Sequence, residues 1–205
     1  MTQESIIQLI VGFTLAALIA LAALRAHSLS RSGAWGALLT GTLIFGLGGW
    51  QWAVLLLGFF ISSSVLTRLF KRRKLAFAEK FEKGGVRDIG QVLANGGVAS
   101  LFAVLHFLFP QAGWTWLGFA ASMAAVNADT WATELGVLSP VKPRLLTTWK
   151  QVERGTSGGV SLTGTLAAAA GAGFIAVLAA LCSPSLGLNG MPGVLALMGI
   201  VLLGG

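Results

Sequence analysis

Tyrosine is absent from the 205-residue chain, cysteine occurs once, and charged residues make up only 10% of it. Each shortage excludes a class of protein. A soluble globular chain carries about 25% charged residues, so this one has too few to cover a surface facing water. Disordered segments and coiled coils need still more polar residues and fail on the same ground. The lone Cys182 excludes an internal disulfide framework, and no C-x-x-C pair or His/Cys cluster suggests zinc. What fills the chain instead is 55% hydrophobic residues with 28 glycines, at a mean hydropathy of +0.81. That is the composition of an integral membrane protein.

Apolar runs fall at 5–24, 33–49, 51–69, 91–109, 113–136, 159–182 and 193–205. The first has no basic segment before it and lasts about twenty residues, which suits a spanning helix rather than a cleaved leader. All 14 basic residues lie in alternate gaps, from Arg25 to Arg31, Arg68 to Arg87 and Lys142 to Arg154. The remaining gaps hold no charge. The expected fold is therefore all-α, a polytopic transmembrane helix bundle of about seven spans forming a single domain over 1–205. By the positive-inside rule its basic ends lie in the cytoplasm and its N-terminus outside. The net charge of +7 is then a matter of orientation, and no nucleic acid is expected as partner. The chain ends at Gly205 inside its last run, so a further segment is expected beyond it.

Gly33, Ala37 and Gly41 recur every four residues, as do Gly164, Ala168 and Ala172. Small residues at that spacing let membrane helices approach closely, and such faces also allow a homodimer. His27 and His106 stand alone and read as packing residues. Ser62, Ser63 and Ser64 receive no role, because hydroxyls in apolar helices bond back to their own backbone.

Three polar clusters exceed what a merely structural bundle needs. The first spans Lys83 to Gly97, where Arg87, Asp88, Gln91 and Asn95 fall within an arc of about 100° on a helix. The second spans Asn127 to Gly136, where Asn127, Asp129, Thr130, Thr133 and Glu134 spread over about 160°. A carboxylate at mid-membrane costs about 2.5–3.5 kcal/mol. Two carboxylates without a cation in their own segment call for a divalent ion or for basic residues from the loops. Mg²⁺ combines carboxylate with phosphate oxygens and water, which makes Asp129 the expected ligand and Asp88 the second carboxylate. The third cluster runs from Lys150 to Thr165. Gly155, Gly158 and Gly159 permit positive φ or close backbone approach, just before a helix N-terminus suited to anions. Lys150 and Arg154 add charge there, and Thr156, Ser157 and Ser161 add hydroxyls.

All three clusters belong to the basic side. Carboxylates for a metal beside cations and amides for phosphates suit phosphoryl or nucleotidyl transfer on a lipid-embedded substrate, where catalysis is largely positioning and charge neutralisation. Asp129, Asp88, Lys83, Arg87 and Glu134 form the expected catalytic set. Glu134 lies about 140° around the helix from Asp129 and is a candidate to orient Lys150 or Arg154. Gln91, Asn95, Asn127, Thr130 and Thr133 are expected to line a polar substrate pocket. An anionic-lipid transporter or flippase is the alternative of another class.

At these motifs the chain resembles the phytyl-phosphate kinase family, multi-pass membrane proteins long catalogued as a domain of unknown function. The resemblance covers essentially the whole chain. It rests on Lys83 to Gly97, where one extra residue precedes Arg87, on N-A-D-T-W-A-T-E-L-G at Asn127 to Gly136, and on Arg154 to Thr165. A looser similarity to dolichol kinase, phytol kinase and CDP-diacylglycerol synthase runs through Asp129, Ala132 and Gly136, then Lys150 and Thr156 to Gly159. The resemblance implies CTP as phosphoryl donor, an isoprenyl monophosphate as acceptor, and the isoprenyl diphosphate with CDP as products. The triphosphate is expected along Lys150 to Gly159. Lys83 and Arg87 would close over it or hold the lipid phosphate, and a groove would open sideways to the inner leaflet. Kinases of the free lipid alcohol and cytidylyltransferases acting on lipid phosphates need the same parts, so those readings stay open. Family members continue into a further glycine-rich, carboxylate-bearing helix.

Overall fold

Long runs of Ala, Leu, Ile and Val leave the backbone no polar partner but itself, and in hydrocarbon that dictates helices. The computed structural model describes residues 3–75, 86–182 and 199, and its helices follow the first six runs. They are α1 (Gln3–Arg25), α2 (Arg31–Gly48), α3 (Trp50–Leu75), α4 (Ile89–Leu108), α5 (Gly113–Gly136) and α6 (Leu162–Cys182). Pro110, Pro140 and Pro143 all fall between helices, where their missing N–H breaks no ladder. Four of the six, α1, α3, α4 and α6, are long and apolar enough to cross a membrane. The seventh run, apart from Gly199, lies outside the described residues, as does Lys83.

One element departs from the all-helical expectation. Between α5 and α6 the chain forms a small antiparallel pair, β1 (Arg144–Leu145) with β2 (Gly159–Val160). It uses the first residues of the expected sixth run, so α6 starts at Leu162. Ser161 caps the new start, its hydroxyl accepting from the Gly164 N–H at 3.1 Å.

Helix approach is set by glycine. A Cβ on Gly12 would stand 2.8 Å from the Gly46 nitrogen, and one on Gly41 would stand 3.0 Å from the Ala16 Cβ. On the other side of the bundle a Cβ on Gly171 would meet the Asn127 carbonyl oxygen at 3.0 Å. The small-residue face at 164–172 thus packs α6 on α5, as its spacing predicts. The core between them is aromatic and aliphatic. Trp52 and Phe119 are fully buried with ring centroids 4.4 Å apart. His106 stacks near Trp52 at 5.0 Å and shares a 3.2 Å hydrogen bond with the Thr115 hydroxyl, so it is a packing residue.

The helix ends that carry the basic residues gather at one end of the bundle. The α1–α2 turn pairs with the residue before α4: the Arg87 N–H donates to the Ser28 carbonyl at 3.0 Å, and the Ser30 N–H donates to the Arg87 carbonyl at 2.9 Å. Arg68 of α3 joins the same turn, donating to the Ala26 carbonyl at 2.8 Å and the Ser28 hydroxyl at 2.7 Å. Thr67 of α3 reaches Glu134 at the end of α5, at 2.7 Å.

Candidate functional site

At this basic end α5, the β1–β2 hairpin and α6 enclose a polar cavity of about 550 Å³. Asp129 and Thr133, one turn apart on α5, line one wall, and the whole Arg154–Ser161 turn lines the other. Close packing makes the corner: a Cβ on Gly136 would stand 3.6 Å from the Gly164 Cα. Asp129 is exposed into the opening.

The turn has the conformation its glycines foretell, with one difference. Gly155 (φ 81°) and Gly158 (φ 75°) are left-handed, a region costly for other residues. Gly159 is extended within β2, and its missing Cβ makes room for the Thr156 carbonyl instead, 3.0 Å from where that Cβ would stand. The N–H groups of Thr156 and Gly159 donate to the carbonyls of Glu153 and Thr156, at 3.2 and 3.1 Å. The Gly159 N–H thus closes the turn itself, and in the expected phosphate-binding stretch of Lys150 to Gly159 it is already engaged. Arg154 is anchored below, donating to the Ser139 carbonyl at 2.6 Å. Lys150 is exposed on the hairpin and does not line the cavity. Lys142 and Glu153 form an ion pair of 2.6 Å between largely exposed side chains, a kind that contributes at most about 1 kcal/mol.

The other clusters lie on the far side of α5. Glu134 is buried, accepts from Thr67, and acts electrostatically on Arg87. Arg87 donates to the Ser64 hydroxyl at 2.9 Å, with its guanidinium 5.7 Å from the centre of the Phe60 ring. Burial pushes the guanidinium below its usual value, and the Glu134 carboxylate pulls it back up. Ser64, unassigned from sequence, is thus the hydroxyl that fixes this cation.

Arg87 and Asp88 precede α4 rather than riding on it. Asp88 is the N-cap: its Oδ1 accepts from the Gln91 N–H at 2.9 Å, and Gln91 Oε1 accepts from the Asp88 N–H at 3.1 Å. This capping box occupies the two residues expected as metal ligand and pocket wall, and neither lines the Asp129 cavity. Asn95 does share a cavity with Arg87, a separate apolar one. Asn127 lines neither. It is fully buried, donating to the Gly171 carbonyl at 2.8 Å and accepting from the Ser62 hydroxyl at 3.2 Å. Thr130 bonds back to the Val126 carbonyl at 2.9 Å.

The donor set of the polar cavity fits Mg²⁺ in one way only. Asp129 supplies one carboxylate, with the hydroxyls of Thr133, Thr156 and Ser157 on the same walls. Among the described residues no three His, Cys, Asp or Glu side chains gather to hold a metal unaided. Such a site suits an ion that keeps waters and arrives with phosphate oxygens.

Four helices among the described residues long and apolar enough to cross a membrane, with a polar cavity at one end of the bundle, mark an integral membrane protein. Residues 14–205 match the family described as integral membrane protein DUF92, and the chain belongs to that family, the one its three motifs resemble. An uncharacterised membrane protein of Methanocaldococcus jannaschii is 36% identical over 174 residues, 85% of this chain and 71% of its own. Protein PGR of Arabidopsis thaliana is 38% identical over 178 residues, covering 80% of this chain and 61% of its own. Chloroplastic protein VTE6 of the same plant is 30% identical over 153 residues, 72% of this chain. The chain spans only 46% of VTE6. No solved structure matches.

Proposed function

We propose that the protein is a CTP-dependent kinase that converts an isoprenyl monophosphate to the diphosphate at the cytoplasmic face of the membrane. The observation that carries this reading is the cavity shared by Asp129, Thr133 and the Arg154–Ser161 turn. It joins a carboxylate, hydroxyls, a cation and two left-handed glycines in one enclosure, the donor types a metal-bound triphosphate needs. Family membership and the relationship to VTE6 support it.

In this reading the triphosphate lies along the glycine turn. Arg154 and the N–H groups of Ser157 and Gly158 hold its oxygens, and Lys150 adds charge from the hairpin. Asp129 would hold Mg²⁺, which would supply charge neutralisation for the phosphates. Arg87 holds the lipid phosphate at the same end of the bundle. An oxygen of that phosphate bonds to the γ-phosphorus of CTP while the bond to the β–γ bridging oxygen breaks. The lipid leaves as the diphosphate, and CDP carries away the bridging oxygen. The protein's work is alignment and charge neutralisation. We further place the N-terminus outside and count the run at 193–205 as a seventh span.

Purified protein incubated with CTP, Mg²⁺ and farnesyl or phytyl monophosphate tests this. CDP with lipid diphosphate supports the kinase. A CMP-lipid with pyrophosphate would make it a cytidylyltransferase instead.

A further inference from the structure

The connection between α5 and α6 carries apolar side chains where a loop in open water would not. Leu146 and Trp149, in the tight turn that follows β1, are 68% and 60% exposed. Cations stand among them, with Arg144 before the turn and Lys150 after it, both exposed. The sequence has no acidic residue over 141–152, and Glu153, the next one, pairs with Lys142 at 2.6 Å. The backbone is built to present the indole. Trp149 is left-handed, at φ 59°, a conformation that is costly for a bulky side chain and free for glycine. Hydrogen bonds hold it there: the Trp149 N–H donates to the Leu145 carbonyl at 2.8 Å, and the Arg144 guanidinium donates to the Trp149 carbonyl at 3.0 Å. Strain kept at an exposed tryptophan points to a use for its side chain.

Position says what this turn meets. Leu162 and Leu166, in the first two turns of α6, are 76% and 62% exposed, and α6 is one of the four helices fit to cross a membrane. Hydrocarbon therefore reaches Leu162, with only Ser161 between it and β2, and the hairpin stands where hydrocarbon gives way to headgroups. An indole flanked by cations suits that layer, and cations without carboxylates favour anionic lipid. We propose that the Leu146–Trp149 turn docks on the anionic phospholipid headgroups of the membrane that the chain spans. Leu146 and Trp149 seat among the headgroups, and Arg144 and Lys150 lie beside their phosphates. The docking reaches the glycine turn, because the Leu146 N–H donates to the Gly158 carbonyl at 3.2 Å. The membrane surface thus steadies one wall of the Asp129 cavity, whatever that cavity binds.

Fluorescence of the full chain reconstituted in vesicles tests the docking. The emission of Trp149 is the difference between wild type and Trp149→Phe, and the quencher is a nitroxide on the lipid headgroup. The vesicles are phosphatidylcholine alone or phosphatidylcholine with an equal part of phosphatidylglycerol. Quenching of Trp149 is expected to be at least about twofold stronger with phosphatidylglycerol, and high salt should remove that gain. Lys150→Gln should shrink it. If Trp149→Phe does not fold, Leu146→Cys in a Cys182→Ala background, carrying a nitrobenzoxadiazole label, reads the same quenching. Quenching that is equal in the two vesicles, or a gain untouched by salt and by Lys150→Gln, overturns the anionic surface as partner. A Trp149 that the headgroup nitroxide does not quench at all overturns the docking and leaves the turn for a soluble protein.

Discussion

Asn127 on α5 donates from Nδ2 to the carbonyl oxygen of Gly171 on α6, at 2.8 Å, in a site closed to solvent. Its Oδ1 accepts from Ser62 on α3, whose hydroxyl also accepts from the Trp131 indole at 3.3 Å. One amide thus ties three helices together two residues from Asp129. It holds the α5–α6 crossing on which the polar cavity stands, and it is not part of that cavity.

Asn127→Ala is accordingly a stability variant. Removing the amide takes the side-chain donor from the Gly171 carbonyl, while the Ser62 hydroxyl keeps the Phe59 carbonyl and the Trp131 indole, at a cost of about 1–3 kcal/mol. A lower unfolding temperature in detergent with KM for CTP unchanged is expected. A raised KM at unchanged stability would return Asn127 to the substrate pocket.

Gly158 is left-handed where the turn lines the cavity. A β-branched side chain is strained there by about 1–2 kcal/mol and covers the backbone that would meet phosphate. Gly158→Val is expected to raise KM for CTP about tenfold and to leave KM for the lipid phosphate alone. Unchanged nucleotide affinity would make the turn purely structural.

The hydroxyl of Ser64 fixes Arg87 at 2.9 Å. A hydrogen bond to a charged group contributes about 1.5–3 kcal/mol, so Ser64→Ala loosens the guanidinium while leaving its charge. KM for the lipid phosphate should rise about tenfold, and KM for CTP should stay put. The reverse pattern would assign Arg87 to the nucleotide.

Topology has its own test, helped by a single buried cysteine. In a Cys182→Ala background, Thr148→Cys places a thiol on the exposed hairpin. A membrane-impermeant maleimide should label it in inside-out vesicles and not in intact cells. Labelling in intact cells would put the basic end outside.

Much of this was legible in the sequence. Apolar runs match the helix boundaries within three residues, except that α3 runs six residues past its run to Leu75, because hydrocarbon allows the backbone no other solution. The left-handed Gly155 and Gly158 follow from glycine spacing before a helix start. The capping role of Asp88 is also legible, as D-x-x-Q ahead of an apolar run, a signal that competes with the polar stripe formed if the helix began before Arg87. The partners of Asn127, Glu134 and Ser64 were not legible, because a wheel gives a side chain's direction and not which helix stands opposite. Hence Asp129 and Glu134, five residues apart, read as one cluster although they open on opposite sides of α5.

The most direct test of the central claim follows the phosphorus. Wild-type protein and Asp129→Asn are each given CTP labelled at either the γ- or the α-phosphate, with Mg²⁺ and farnesyl monophosphate. Asp129 is exposed in the cavity, so its amide should fold normally. With wild type, γ-label should appear in farnesyl diphosphate and α-label in CDP. In the variant both should fall at least about a hundredfold, the scale of losing several kcal/mol of charge stabilisation. α-Label on the lipid, or full transfer by folded Asp129→Asn, would contradict the account.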